Sequence, residues 1–173
     1  MVSTLRVESP VGPLLLGCLD DGICLVEFQD ETRWQGRQLE PTLALYRELS
    51  PAEHPLLRQM ERELAEYFEG TRTSFDVPLA LRGTDFQLRV WNALLEIPFG
   101  ETRTYGQLAA KLGVDGGSRA VGHANGDNRV AIVVPCHRVI AADGTLGGYG
   151  GGLEMKRFLL NLEGHVLQAP LAL

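Results

Sequence analysis

The apolar residues of this sequence change period once, and that change bounds the fold. Up to Phe28 they come in short runs cut by turn residues. Leu14-Leu15-Leu16 and Ile23-Cys24-Leu25-Val26 flank Asp20-Asp21-Gly22, and Ser9-Pro10-Val11-Gly12 precedes them. That is the pattern of strands joined by a hairpin. From Pro51 the spacing is three or four, through Leu56, Met60, Leu64 and Tyr67/Phe68, until Gly70 stops it. That is a helix, and Met60 belongs to its core face. Strands followed by helices make an α+β chain. Residues 29–50 are polar and mixed, with room for one short helix.

A chain of 173 residues makes one or two domains. Leu81-Arg82-Gly83-Thr84 reads as the linker, dividing 1–83 from 84–173. With 45 % hydrophobic and 22 % charged residues the composition excludes a disordered or collagen-like chain. No apolar run is long enough to span a bilayer, and the first residues do not read as a secretory signal. Three cysteines (Cys18, Cys24, Cys136) are too few and too odd for a disulfide scaffold, so the expected compartment is the reducing cytoplasm.

Charge divides at the linker. Residues 1–81 hold 7 Lys+Arg against 14 Asp+Glu, whereas residues 82–173 hold 9 against 8. The acidic half is a poor partner for a polyanion. The second half permits one, with Arg89, Arg103, Lys111, Arg119, Arg129 and Arg138 free to meet phosphates.

Beyond the linker, Thr84 or Asp85 caps a helix with Phe86, Val90, Ala93, Leu94 and Ile97 on its apolar face, broken by Pro98-Phe99-Gly100. Thr104 and Gln107 form a capping box for a second helix that Gly113 ends. After Val114-Asp115-Gly116-Gly117 a third runs through Ser118–Ala124. Helix, glycine turn and helix make a helix-turn-helix, which admits DNA binding without requiring it. Val130–Val134 is a buried apolar run ending at Pro135-Cys136-His137-Arg138-Val139, on chain read as extended. Asp143-Gly144 is a turn, and the last helix starts near Leu153 with Met155, Phe158, Leu159 and Leu162 on one face.

Cys18 and Cys24 sit in apolar strand sequence, where a thiol packs as a small hydrophobe. Cys136 is followed by His137 and Arg138, company that lowers a thiol pKa and makes a nucleophile. On adjacency alone a buried structural thiol at a strand end is the better reading. Glu163 falls at the end of a helix, where the macrodipole disfavours a carboxylate; it is either solvated or held by a donor such as an imidazole. The glycines of 147–152 lack the ending of a phosphate loop and suit a lid or a pocket wall. The cysteines and histidines show no metal-binding spacing.

Taken together and in order, several of these segments resemble the O6-alkylguanine-DNA alkyltransferases of bacterial type. They are Phe86-Gln87-Leu88-Arg89-Val90-Trp91, Ile97-Pro98-Phe99-Gly100-Glu101-Thr102 and Tyr105-Gly106-Gln107-Leu108-Ala109, then Arg119-Ala120-Val121-Gly122. Pro135-Cys136-His137-Arg138-Val139, Tyr149-Gly150-Gly151-Gly152 and Leu162-Glu163-Gly164-His165 complete the set. The match is detailed over 84–165 and looser over 1–83.

The resemblance implies a ribonuclease-H-like N-terminal domain with a small antiparallel sheet, acting as support, and a mostly helical C-terminal domain. It implies single-turnover repair of O6-alkylguanine, and of O4-alkylthymine, in duplex DNA. Cys136 would accept the alkyl group, His137 would take the thiol proton through a water, and Glu163 would orient His137. Tyr105 would donate to guanine N3, and Asn128 would brace the turn before the active site. Arg119 would fill the stack left by a flipped nucleotide, with the small residues Gly117, Ser118, Ala120 and Gly122 admitting the minor groove. Tyr149 and the Gly150 N–H would line the base pocket, and the carbonyls of Cys136 and Val139 would read the exocyclic amine. Gly150 and Ala131 stand where some relatives have serine and proline, leaving the pocket wall less filled. The expected partner is double-stranded DNA and no membrane; the chain acts as a monomer, with clustering on DNA left open. Neither cofactor nor metal is carried over, since Cys18 alone matches a zinc ligand of some relatives. The alternative is a lesion-binding relative that does not repair; that class replaces the acceptor, typically by tryptophan, and this chain has Cys136. A Cys-His hydrolase is the remoter rival.

Overall fold

The computed structural model describes residues 2–29, 49–51 and 53–164. Strands β1 (Val2–Val7), β2 (Leu14–Leu19) and β3 (Gly22–Phe28) form an antiparallel meander, with Val7 opposite Leu14 and Leu19 opposite Gly22. The Ser9–Gly12 turn and the Asp20-Asp21 hairpin stand where their residues predict. A fourth strand, β4 (Leu49–Pro51), lies parallel to β1 at the sheet edge, in order β3-β2-β1-β4. Nothing in the residue pattern announces it, because pairing there comes from a neighbour and not from alternation. The helix allowed within 29–50 lies outside the described residues.

Both faces of the sheet are covered. Leu14, Leu16, Cys18, Ile23, Val26 and Phe28 join the main core, while Val2, Cys24, Leu25 and Ala80 form a smaller cluster. Cys18 and Cys24 are buried in separate clusters, as their apolar surroundings predict.

Helix α1 (Pro55–Phe68) packs on the sheet. His54 Nδ1 accepts the Leu56 N–H at its start, and Pro55 takes the first turn, where its missing N–H costs nothing. The buried stripe is Leu57, Met60, Leu64 and Tyr67, with Leu56 only half-buried, so the inward face begins one residue later than the sequence suggests.

Helix α2 (Asp85–Leu95) starts from a complete capping box between Thr84 and Gln87 and buries Val90, Trp91, Ala93 and Leu94. A two-residue strand β5 (Arg103–Thr104) leads into α3 (Tyr105–Lys111), and α4 (Ser118–Gly126) follows. Thr104 caps α3 with Gln107, and Gly113, at φ +69°, ends it. There the N–H of Val114 reaches Ala109 O and that of Gly113 reaches Ala110 O, which satisfies the last carbonyls. Thr104→Ala is expected to lower stability by about 1 kcal/mol, read from urea unfolding midpoints, with α3 fraying from its first turn. The helix-turn-helix is held on α2 by Trp91 Nε1, which donates to Ala124 O at 2.8 Å.

The run at 130–134 is not a strand. Val130 makes one parallel bridge to Val26, and the chain then turns through Ile132 at φ +72°. That backbone is strained for a β-branched residue and is held by the complete burial of Ile132. A run of β-branched residues reads as a strand in sequence whichever way tertiary packing bends it.

Strand β6 (Val139–Ile140) pairs parallel with β5, and α5 (Leu153–Leu162) closes the described chain. The buried face of α5 is Met155, Lys156, Leu159 and Leu160; Phe158, expected inside, is 40 % exposed. A lysine therefore takes a core position that an aromatic residue was expected to share. Among the described residues no helix is long and apolar enough to cross a membrane.

Candidate active site

Pro135 bends the chain into a 3₁₀ turn over Cys136–Arg138, closed by the Arg138 N–H on Pro135 O. The backbone is not extended there, as the sequence had it read, so the alternation of side chains expected of a strand does not apply. The Cys136 thiol is buried and accepts Asn128 Nδ2 at 3.1 Å. The same Nδ2 donates to Val134 O at 2.9 Å, while Asn128 Oδ1 accepts the Val130 N–H. Asn128 thus braces the turn and touches the sulfur. Asn125, from α4, adds a long contact of 3.4 Å to Cys136 O; nothing in the sequence separated it from other helix residues.

His137 is fully buried, and Nε2 faces Glu163 Oε1 at 2.7 Å. Glu163 caps the C-terminus of α5. An ionised carboxylate only accepts, so Nε2 carries the proton and Nδ1 is the lone-pair nitrogen. Nδ1 has no hydrogen-bond partner among the described residues. No direct bond joins the imidazole to the thiol.

The position of Glu163 at a helix C-terminus is compensated by donors. Oε2 accepts Arg138 Nε at 2.8 Å and the Gly100 N–H at 3.3 Å. Oε1 accepts Arg138 Nη2 at 3.0 Å and the Tyr67 hydroxyl at 2.7 Å besides His137. Burial raises the carboxyl pKa, but the hydrogen bonds and charges of His137 and Arg138 outweigh it and bring the pKa to about 2. Gly100 sits at φ +77°, and a Cβ there would stand 2.9 Å from Glu163 O, so the turn that follows α2 needs glycine to approach this close.

Arg138 is buried, bound to Glu163 and to Ile97 O at 2.6 Å, and is withdrawn from the cations expected to meet phosphate. A guanidinium whose charge is matched inside the protein has none to offer outside. Nor does it lower the thiol pKa as adjacency suggested. Burial pushes the Cys136 thiol up, opposed by the Asn128 hydrogen bond and the charge of Lys156. Burial pushes His137 down, opposed by Glu163. The resting pair is therefore neutral thiol and neutral imidazole.

Lys156 is buried, with Nζ donating to the carbonyls of Val139 and Leu146 and, at 3.4 Å, of Gly148. Burial lowers its pKa to about 8. It ties β6 to the glycine segment and was missed in the sequence, although a lysine within the apolar stripe of α5 is a legible signal. Tyr67 was missed as well, and a tyrosine at a core helical position carries no signal of a distant carboxylate.

Tyr105 opens α3 half-buried, and a Cβ on Gly147 would stand 3.2 Å from its hydroxyl. Tyr149 packs edge-on against Phe28, and burial and the nearby Cys136 keep its pKa well above the usual range. The Gly150 N–H makes no hydrogen bond among the described residues. Val139 is buried and its carbonyl, expected to read the base, already accepts from Lys156.

On α4, Ser118, Arg119 and Ala120 are exposed and Gly122 half-exposed, while Val121, Ala124 and Asn125 face inward. The Arg119 side chain makes no ion pair or hydrogen bond among the described residues. Gly117 has a second reason to be glycine, since a Cβ there would lie 2.8 Å from Val114 O. Among the other cations, Lys111 and Arg103 hold exposed pairs with Glu96 and Glu101, and half-buried Arg129 lies 3.6 Å from Glu27.

The chain matches the 6-O-methylguanine DNA methyltransferase family in two models, the ribonuclease-like domain over 3–81 and the DNA binding domain over 85–165. It is 47 % identical over 173 residues to the methylated-DNA–protein-cysteine methyltransferase of Mycobacterium tuberculosis, covering 100 % of this chain and 99 % of that one. The chain belongs to the methylated-DNA–protein-cysteine methyltransferase family. A Methanosarcina acetivorans methyltransferase of the same description is 48 % identical over 91 % of this chain and 95 % of its own. A Mycobacterium tuberculosis methyltransferase solved in complex with DNA superposes with a TM-score of 0.78 at 46 % identity, over 91 % of this chain and 90 % of that one. The methyltransferase fold is α+β, with the ribonuclease-like sheet and α1 first and the helix-turn-helix after it.

Proposed function

We propose that this chain repairs DNA directly, taking the alkyl group of O6-alkylguanine, and of O4-alkylthymine, onto Cys136 Sγ in a single turnover. The observation that carries the reading is a buried thiol held by Asn128 in the same 3₁₀ turn that presents His137 to Glu163. The Cys136 proton passes through a water to His137 Nδ1, and Glu163 holds the imidazolium that results. Sulfur then bonds the alkyl carbon as the carbon–O6 bond breaks. The electron pair leaves with guanine, where the Tyr105 hydroxyl at N3 and the Gly150 N–H at O6 meet the charge. One proton then returns to the base as His137 gives up the one it took, so the products are a thioether on Cys136, a neutral imidazole and an unmodified base.

An alkylated base inside a duplex is out of reach of a buried thiol, so the base is flipped into the pocket lined by Tyr149 and Val139. The small residues Gly117, Ser118, Ala120 and Gly122 let α4 approach the minor groove, and Arg119, free of partners, takes the vacated place in the stack. In this reading 84–173 binds DNA and accepts the alkyl group, 1–83 supports it, and the chain works as a monomer in the cytoplasm. A lesion binder without repair is disfavoured by the acceptor cysteine itself.

The test is the mass of the intact chain after incubation with methylated duplex. One added methyl on Cys136 supports repair, whereas release of product from unmodified protein would make the chain a hydrolase. Arg119→Ala is expected to slow transfer from duplex by on the order of a hundredfold, a few kcal/mol of unstacking left uncompensated, and to leave transfer from free O6-methylguanine base unchanged. Equal losses on the two substrates would make Arg119 structural.

A further inference from the structure

Tyr67 belongs to α1, in the part of the chain read as support, and its ring packs with Phe68, Phe75 and Phe99. The side chain is fully buried. Its hydroxyl reaches out of this aromatic group to Glu163 Oε1 at 2.7 Å, across 96 residues of sequence. A phenylalanine would fill the same space. The hydroxyl serves the carboxylate alone, on the oxygen that also receives His137 Nε2 at 2.7 Å and Arg138 Nη2 at 3.0 Å.

We propose that Tyr67 is a positioning residue for alkyl transfer, sharing Glu163 Oε1 with His137 and so setting the direction and strength of the carboxylate's hold on the imidazole. The proposal rests on the alkyl-transfer reading above, and under it the N-terminal domain completes the proton relay. Donors on one oxygen draw on the same lone pairs, so each added donor makes the carboxylate a weaker base. Without the Tyr67 hydroxyl, Glu163 becomes the stronger partner of His137, the imidazolium is favoured, and the carboxylate loses one of its fixed points. Tyr67 does not titrate in competition, since burial and the Glu163 charge push its pKa far above the usual range. The other charged groups that act on His137 are Arg138 from its own turn and Lys156 from α5; Cys136 feels Lys156 and Glu27 from β3, and Tyr149 feels Tyr67 and Cys136.

Tyr67→Phe, in the full chain, keeps the aromatic packing and removes the donor. Single-turnover methyl transfer to Cys136 from methylated duplex is expected to slow about tenfold at neutral pH, the scale of one hydrogen bond to a charged group. The acid limb of the rate is expected to move to higher pH by roughly half a unit, because a more basic His137 is protonated earlier. Replacing Tyr67 by 3-fluorotyrosine, a stronger donor of nearly the same shape, is expected to move the limb the other way, and this variant decides the matter should Tyr67→Phe not fold. Leu64→Ala, on the same buried face of α1 but with no group that could bond Glu163, is expected to lower Tm while leaving rate and limb unchanged per folded molecule. Overlapping profiles for the fluorotyrosine and unaltered chains would overturn the proposal, as would a shift reproduced by Leu64→Ala. An unaltered chain that takes up no methyl would instead remove the alkyl-transfer reading, and the proposal with it.

Discussion

With methylated duplex in large excess, the chain is expected to take up one methyl group per active molecule and then stop. A thioether is a poor leaving group, and among the described residues the site holds one sulfur, one imidazole and no second nucleophile placed to cleave the product. Amplitude should follow protein concentration and not time. Cys136→Ser is expected to abolish the burst, with transfer slower by roughly 10³ or more, the scale on which losing a nucleophile costs a triad enzyme. The buried environment sharpens this, because burial already raises the thiol pKa and would hold a hydroxyl still further from ionisation. Cys18→Ser and Cys24→Ser are expected to keep the full amplitude, since those thiols lie in the packing of the sheet. Methyl groups counted per active protein decide the matter. A count climbing steadily past one would end the single-turnover reading, and a full burst from the serine variant would end the assignment of Cys136.

Glu163→Gln is expected to slow transfer by about 10² to 10⁴, the range for removing a group that orients and charges a general base. Affinity of the folded variant for methylated DNA should stay near that of the unaltered chain, because Glu163 is buried and its oxygens are taken up by donors inside the protein. The amide also leaves Arg138 buried without a counter-charge, which costs on the order of 3–5 kcal/mol of stability. The pH dependence has a definite sign. The folded-state pKa of about 2 lies below the ordinary 4.5, so ionised Glu163 stabilises the fold by about 3 kcal/mol above pH 4.5. That contribution fades as pH falls from 4.5 through about 2. In the glutamine variant this acid-labile part should be missing, so its unfolding midpoint in urea should change less over the same interval. A normal transfer rate would take Glu163 out of the mechanism.

The sequence marked Cys136, His137 and Glu163 through local contradictions: a thiol in polar company and a carboxylate at the wrong end of a helix. It also marked the starts of α2 and α3, because a capping box is a contact between residues three apart. What it misread were features settled by distant partners. Arg138 sits among apparent surface cations and is buried because Glu163 and Ile97 O receive it. Val130–Val134 has strand composition, yet it turns at Ile132 because Val26 offers a single bridge and the core takes the side chain. Lys156 was legible only as an interruption of an apolar stripe.

Amino-acid order alone determined the parts that depend on near neighbours: the β2–β3 hairpin, the helix starts and stops, and the sequence of motifs that marks the family. Tertiary structure decided the chemistry of the site. The carboxylate at 163 becomes an anchor because Tyr67, Gly100, His137 and Arg138, four residues from three separate stretches of chain, place donors on its two oxygens. Propensities and caps act over one turn of helix, whereas a buried charge is set by whichever groups the fold brings within hydrogen-bond reach. Distance along the chain carries no record of that.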